Sequence, residues 1–118
     1  MGVAQLARNS TCIKAESTGD SIIFEFADGT RFKMYHQQDC CETVTLEDVA
    51  GGELSDLVGQ CIVEAYETYH TGDKKEDYDE SHTWTFYTLR TNQVTLTIRW
   101  YGTSNGYYSE TAEVEQIK

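Results

Sequence analysis

Proline is missing from all 118 residues of this chain, so no residue fixes its own backbone angle, and the turns fall to glycine, asparagine, aspartate and serine. Basic residues are scarce too: 9 lysines and arginines stand against 20 aspartates and glutamates, a formal net charge of -11. A field of that sign repels phosphate backbones and anionic lipid, so direct nucleic-acid binding and membrane binding are not expected. It keeps the exterior solvated and draws in cations or basic protein surfaces. Long apolar runs are absent. Nothing approaches the roughly 18 residues of a membrane span, and "MGVAQLARNSTCIKAES" has no apolar core of the roughly 7 to 15 residues found in a secretory leader. The expected location is the cytoplasm. The 4 cysteines, Cys12, Cys40, Cys41 and Cys61, form no CxxC pair, and in a reducing compartment they are expected as thiols. No catalytic signature is recognisable, which weighs against an enzyme.

What the chain does have is material for one packed domain over residues 1–118: 39% hydrophobic residues, with 8 tyrosines, 4 phenylalanines and 2 tryptophans. Residues 1–19 are expected at its periphery. "SIIFEFADGTRFKMYH" alternates, placing Ile22, Phe24 and Phe26, then Phe32, Met34 and His36, on one face of a hairpin. A two-residue loop Asp28-Gly29 would set Phe24 against Lys33 and mix core with solvent. The three-residue loop Ala27-Asp28-Gly29 sets Phe24 against Phe32, Ile22 against Met34 and Glu25 against Arg31, and is the expected register. By the same reasoning "VTLTIRWYGTSNGYYSETAEVE" turns at Ser104-Asn105-Gly106, with Ala112 opposite Ile98 and Val114 opposite Leu96. "TVTLEDV", "CIVEAYETY" and "HTWTFYTL" read as further strands. "ELSDLVG" reads as a short helix with Leu54, Leu57 and Val58 inward and Gly59 at its end. The expected fold is mostly β, within the α+β class: one compact domain of about seven mainly antiparallel strands, a bent sheet or small barrel, with one short helix.

The stretch "KMYHQQDCCETVTLEDV" brings His36, Cys40 and Cys41 together with Asp39, Glu42, Glu47 and Asp48. A zinc site built from His36, Cys40, Cys41 and Cys61 is opposed by spacing. On a strand the two adjacent cysteines face opposite ways, and His36 lies roughly 13 Å from Cys40. A thiol nucleophile is opposed by Asp39 and Glu42, whose charge makes a neighbouring thiol harder to ionise. The expectation is therefore a turn into the strand "TVTLEDV", with no metal and no cofactor. The alternative is a metal site, small-ligand site or minor enzyme centre using His36, Cys40 and Cys41. Asp77, Asp79 and Ser81 follow the start of a calcium loop, but His82 and Thr88 stand where that loop needs glycine and glutamate, so residues 73–80 read as a solvated acidic loop. Arg99, Tyr101, Tyr107 and Ser109 fall on the face away from Ile98 and Trp100, a composition common among binding hot spots. Glu110 is expected on the core side, opposite Trp100, where a carboxylate needs a partner.

Taken together, "MYHQQDCCETVTLEDV", "TWTFYTL" and "IRWYGTSNGYYSE" resemble a family of small uncharacterised proteins encoded by bacteriophages and bacteria, over about residues 34–113. The resemblance implies a phage or mobile-element origin. By analogy of class it implies an inhibitor of host defence, of the anti-CRISPR or anti-restriction kind. The expected function is that of a non-enzymatic acidic protein that binds and inhibits a host protein with a basic surface, such as a defence nuclease. Arg99, Tyr101, Tyr107 and Ser109 would anchor the contact, and Asp77 and Asp79 would steer the approach.

Overall fold

Apolar side chains at every second position bury one face of a strand, and the first hairpin forms in the register that this face demands. In the computed structural model, which describes residues 3–7, 10–19, 21–37, 42–71, 81–104 and 110–117, β2 (Ser21–Phe26) pairs antiparallel with β3 (Arg31–Tyr35). Phe24 opposes Phe32, Ile22 opposes Met34 and Glu25 opposes Arg31, as expected. Ala27, Asp28 and Gly29 close the loop. The Phe26 amide donates to the Thr30 carbonyl at 2.9 Å, the Thr30 amide donates to Asp28 Oδ1 at 2.9 Å, and Gly29 takes φ +90°, a conformation that other residues resist.

Two antiparallel sheets result. The first has the order β1-β2-β3-β8, with β1 spanning Cys12–Thr18 and β8 spanning Glu113–Ile117. The second has the order β4-β7-β6-β5, with β4 at Thr43–Ala50, β5 at Glu64–His70, β6 at Ser81–Arg90 and β7 at Thr95–Ser104. Phe24, Phe32 and Met34 of the first sheet and Leu89, Ile98 and Trp100 of the second belong to one hydrophobic core. Trp100 Nε1 donates to Met34 Sδ at 3.3 Å, a buried bond from one sheet to the other. The mostly β class is as expected, in the form of two sheets and not a closed barrel. The strand beyond the expected seven is β1. A register shift between Cys12 and Lys14 breaks its alternation, which hides it in the sequence. Residues 1–19, expected at the periphery, put Val3, Leu6, Cys12 and Ala15 into the core.

Two expectations are corrected. The strand "VTLTIRW" does not pair with residues 112–114, and the turn expected at Ser104-Asn105-Gly106 runs into residues outside the described ones. β7 lies between β4 and β6, so Ile98 opposes Val49 on one side and Tyr87 on the other, while Val114 of β8 opposes Met34 in the other sheet. Alternation names the buried face of a strand but not its partner, and both pairings bury the same residues. The segment "ELSDLVG" forms a 3-10 turn, η2 (Leu54–Leu57), and no α-helix. With three residues per turn, Leu54 and Leu57 share its inward stripe, and Val58 is left 45% exposed. Gly59 follows at φ +88°, its amide donating to the Cys12 carbonyl at 2.8 Å. A second 3-10 turn, η1 (Val3–Leu6), packs on β5, as η2 packs on β1.

Gly102 of β7 carries the crossing between the sheets. A Cβ added there would lie 1.9 Å from the Glu110 carbonyl oxygen, a backbone atom that cannot rotate away. Gly102→Ala is expected to destabilise the fold by about 3 kcal/mol, the upper range for overpacking, read as a lower urea midpoint. Gly29→Ala, where nothing lies within 4 Å, carries only the strain of its backbone angle.

Candidate functional site

β6 and β7 are the inner strands of the second sheet, and alternation gives each an outer face as well as a core face. Thr85, Tyr87 and Leu89 of β6 point inward and are buried, so His82, Trp84, Phe86 and Thr88 point out. On β7, Leu96, Ile98 and Trp100 point inward, which turns Arg99 and Tyr101 outward, as expected. Pairing puts Trp84 opposite Tyr101 and Phe86 opposite Arg99. The rings form a continuous strip. Trp84 and Tyr101 lie 4.7 Å apart between centroids, Trp84 and Phe86 stack at 6.2 Å, and His82 sits 6.0 Å from Tyr101. The sheet half-covers this strip: Tyr101 is 6% exposed, held between Thr45 of β4 and Trp84, whereas Trp84 and Phe86 are half-buried. Further along the face, Tyr66 of β5 is 46% exposed.

Arg99 bounds the strip on its β4 side. Its Nε donates to Asp48 Oδ1 at 2.5 Å and its Nη2 donates to Asp48 Oδ2, a two-point clasp that sets the guanidinium carbon 5.8 Å from the centre of the Trp84 ring. The hydrogen bond from Arg99 holds the Asp48 carboxyl below its usual range. A carboxylate lowered in this way adds stability above its ordinary range and loses it as the pH falls through the lowered value. Both side chains face water, so that contribution is under about 1 kcal/mol. The clasp chiefly fixes the edge of the aromatic strip. His82 Nε2 is buried and has no hydrogen-bond partner among the described residues.

His36 and Glu42 flank the stretch that opened the chemical question, and they meet in the folded chain. His36 Nδ1 lies 3.0 Å from the Thr111 carbonyl and Nε2 lies 3.2 Å from Glu42 Oε2, with side-chain exposures of 6% and 1%. A carbonyl only accepts, so Nδ1 must be the donor there, and Nε2 faces the Glu42 carboxyl. Both ring nitrogens are spent inside the protein, which ties the end of β3, the start of β4 and the approach to β8 into one buried knot. Cys40 and Cys41 lie outside the described residues, as do Asp77, Asp79, Tyr107 and Ser109. Cys12 is buried, which pushes its thiol up, and among the described residues no group of three or more His, Cys, Asp or Glu side chains is arranged to hold a metal ion.

Glu110 is buried, as its position required, but it lies over Gly102 and not opposite Trp100. Thr83 Oγ1 donates to its Oε1 at 2.8 Å and Ser104 Oγ donates to its Oε2. Trp84 and Phe86 went unassigned in the sequence because "HTWTFYTL" carries bulky residues on both faces. The available signal was the threonine at position 85, a small residue on the face that packs against Trp100.

Residues 6–114 match a family model described as Domain of unknown function (DUF7448). The chain belongs to this family. No curated protein and no solved structure matches it. The DUF7448 model spans β1 to the start of β8, so it takes in both sheets, the His36 and Glu42 knot and the outer strip. Among the described residues no helix is long and apolar enough to cross a membrane.

The knot generates a stability prediction. His36→Ala leaves a buried carboxylate without its imidazole and is expected to cost roughly 3 kcal/mol, the range for breaking one side of a buried pair. Glu42→Gln keeps a hydrogen-bonding group opposite Nε2 and should cost nearer about 1 kcal/mol. Urea midpoints for the two variants should differ accordingly, and equal losses would place the cost in packing alone.

Proposed function

We propose that this DUF7448 chain is a phage-type, non-enzymatic protein that binds a basic surface of a host protein and inhibits or modifies it in the host cytoplasm. A defence nuclease of the CRISPR or restriction class is the kind of partner that fits, because its nucleic-acid channel is cationic and an acidic protein occupies ground that phosphates would otherwise hold. One observation carries the reading: the outer face of β6 and β7 presents Trp84, Phe86 and Arg99 as a strip on a chain of net charge -11. Tryptophan, tyrosine and arginine dominate binding hot spots because they offer large, stiff contact area at low entropic cost.

Asp48 and Arg99 act at the edge of this contact, where charge sets the association rate and its salt dependence. Tyr107 and Ser109 remain anchors on sequence grounds, and Asp77 and Asp79 remain steering residues. The experiment is capture of partners from a defence-bearing bacterial host with the intact chain, then kinetic measurement on the purified partner. Trp84→Ala is expected to weaken binding by roughly 2 kcal/mol or more, mostly through faster dissociation. Asp48→Asn should change mainly the association rate. A Trp84→Ala variant that is folded and binds as well as the parent would refute the assignment of this face.

A further inference from the structure

The edge of a sheet presents unpaired amides and carbonyls, and proteins blunt such edges with bulges, charge or brevity. Three of the four edges here are blunted in that way. β1 and β4 each carry a register shift, between Cys12 and Lys14 and between Leu46 and Asp48, and the five residues of β8 include Glu113 and Glu115. β5 is different. It pairs with β6 without a break from Glu64 to His70, contains no lysine, and has no strand on its other side among the described residues. Of its seven residues only Ala65 is buried.

Apolar surface gathers on the same edge. Five large apolar side chains are exposed among the described residues, and Val63, Tyr66 and Tyr69 are three of them. Val63 stands just ahead of β5, with its amide donating to the Arg90 carbonyl at 2.8 Å. The open edge begins there, because Cys61 is already bridged to Thr11. Alternation puts Tyr66 on the outer side of the sheet, and Val63, Glu67 and Tyr69 on the side of Ala65.

We infer that β5 is a self-association edge whose occupant is the β5 of a second copy, antiparallel about a two-fold axis at Tyr66. A two-fold pairing within one sheet must centre on a residue, so that side chains of the same side meet. Centring on Glu67 sets that carboxylate against its own copy, which is destabilising. Centring on Ala65 sets Tyr69 against Cys61, which Thr11 already holds, and centring on Thr68 sets Val63 against residue 73, beyond the strand. Centring on Tyr66 sets Tyr66 against Tyr66, Val63 against Tyr69 and Glu64 against Thr68. All three exposed apolar side chains are then covered, and no like charges meet. Ala65 falls opposite Glu67, and its small side chain lets Glu67 keep its hydrogen bond with Tyr69 of the same strand.

The four strands of each copy then form one sheet of eight, within the usual size of open sheets, and the outer faces run on across the axis through Tyr66. Each copy brings a charge of -11, so the pairing works against a repulsion that salt screens. Added salt therefore strengthens this dimer, the reverse of an association held by ion pairs.

The test is sedimentation velocity on the intact chain over a range of concentrations, at low and at high salt. The parent is expected to pass from monomer to dimer, and to do so at lower concentration in high salt. Tyr66→Lys and Tyr66→Glu each set like charges against each other on the axis and should raise the dissociation constant about tenfold or more. An equimolar mixture of the two sets lysine against glutamate and should dimerise again, a recovery that a merely misfolded variant would not give. Trp84→Ala, on the outer strip, should dimerise as the parent does. A parent that stays monomeric at both salt concentrations, full dimerisation by both Tyr66 variants, a mixture that fails to recover, or a loss confined to Trp84→Ala would overturn the inference.

Discussion

Where β7 passes Glu110, two backbones approach more closely than any side chain at position 102 would allow. Glycine there lets the chain lie down on the sheet it has just left, and the buried Glu110 carboxylate is fastened by hydroxyls of Thr83 and Ser104. That crossing changes sheets. It frees β7 to sit between β4 and β6, sends β8 to the edge of β3, and brings Thr111 to the His36 ring. A polar device of this kind is tolerated in the interior because every oxygen of the carboxylate meets a donor.

The second sheet has two faces of different purpose. Its inner face packs Tyr87, Leu89, Ile98 and Trp100 into the common core, and its outer face carries a second aromatic set in which Trp84 and Phe86 are half-buried. Half-exposed aromatic ground of this type invites self-association. A net charge of -11 opposes it by mutual repulsion between copies, and the clasp of Arg99 on Asp48 places a polar edge beside the strip. Acidity and aromaticity in this sequence are thus complementary: one offsets the self-association that the other invites.

The first hairpin was fully legible, because Phe24, Phe32, Ile22 and Met34 admit one register that keeps Lys33 in water. The outward placement of Arg99 and Tyr101 was legible for the same reason, one strand at a time. What alternation could not supply was the neighbour of each strand. Pairings such as Val114 with Met34 join residues far apart in the chain, and nothing local distinguishes them from a hairpin partner. The His36 and Glu42 contact was hidden differently. The two residues are near in sequence, but the geometry is set by the Thr111 carbonyl, which arrives from the other end of the domain. Burial of Val3 and Leu6 went unread because a 3-10 turn of a few residues leaves no periodic trace.

The β3 and β8 pairing also bears on how the chain reaches its native state. Tyr35 donates to Glu115 across 80 positions of sequence, so the first sheet is incomplete until nearly the whole chain is available. A nascent domain of this topology waits on the ribosome with the edge of β3 uncovered, and its closure carries the entropy of a long loop. With no proline to isomerise, that closure is the slow event. Topology, through that long-range closure, is the expected control on the folding rate.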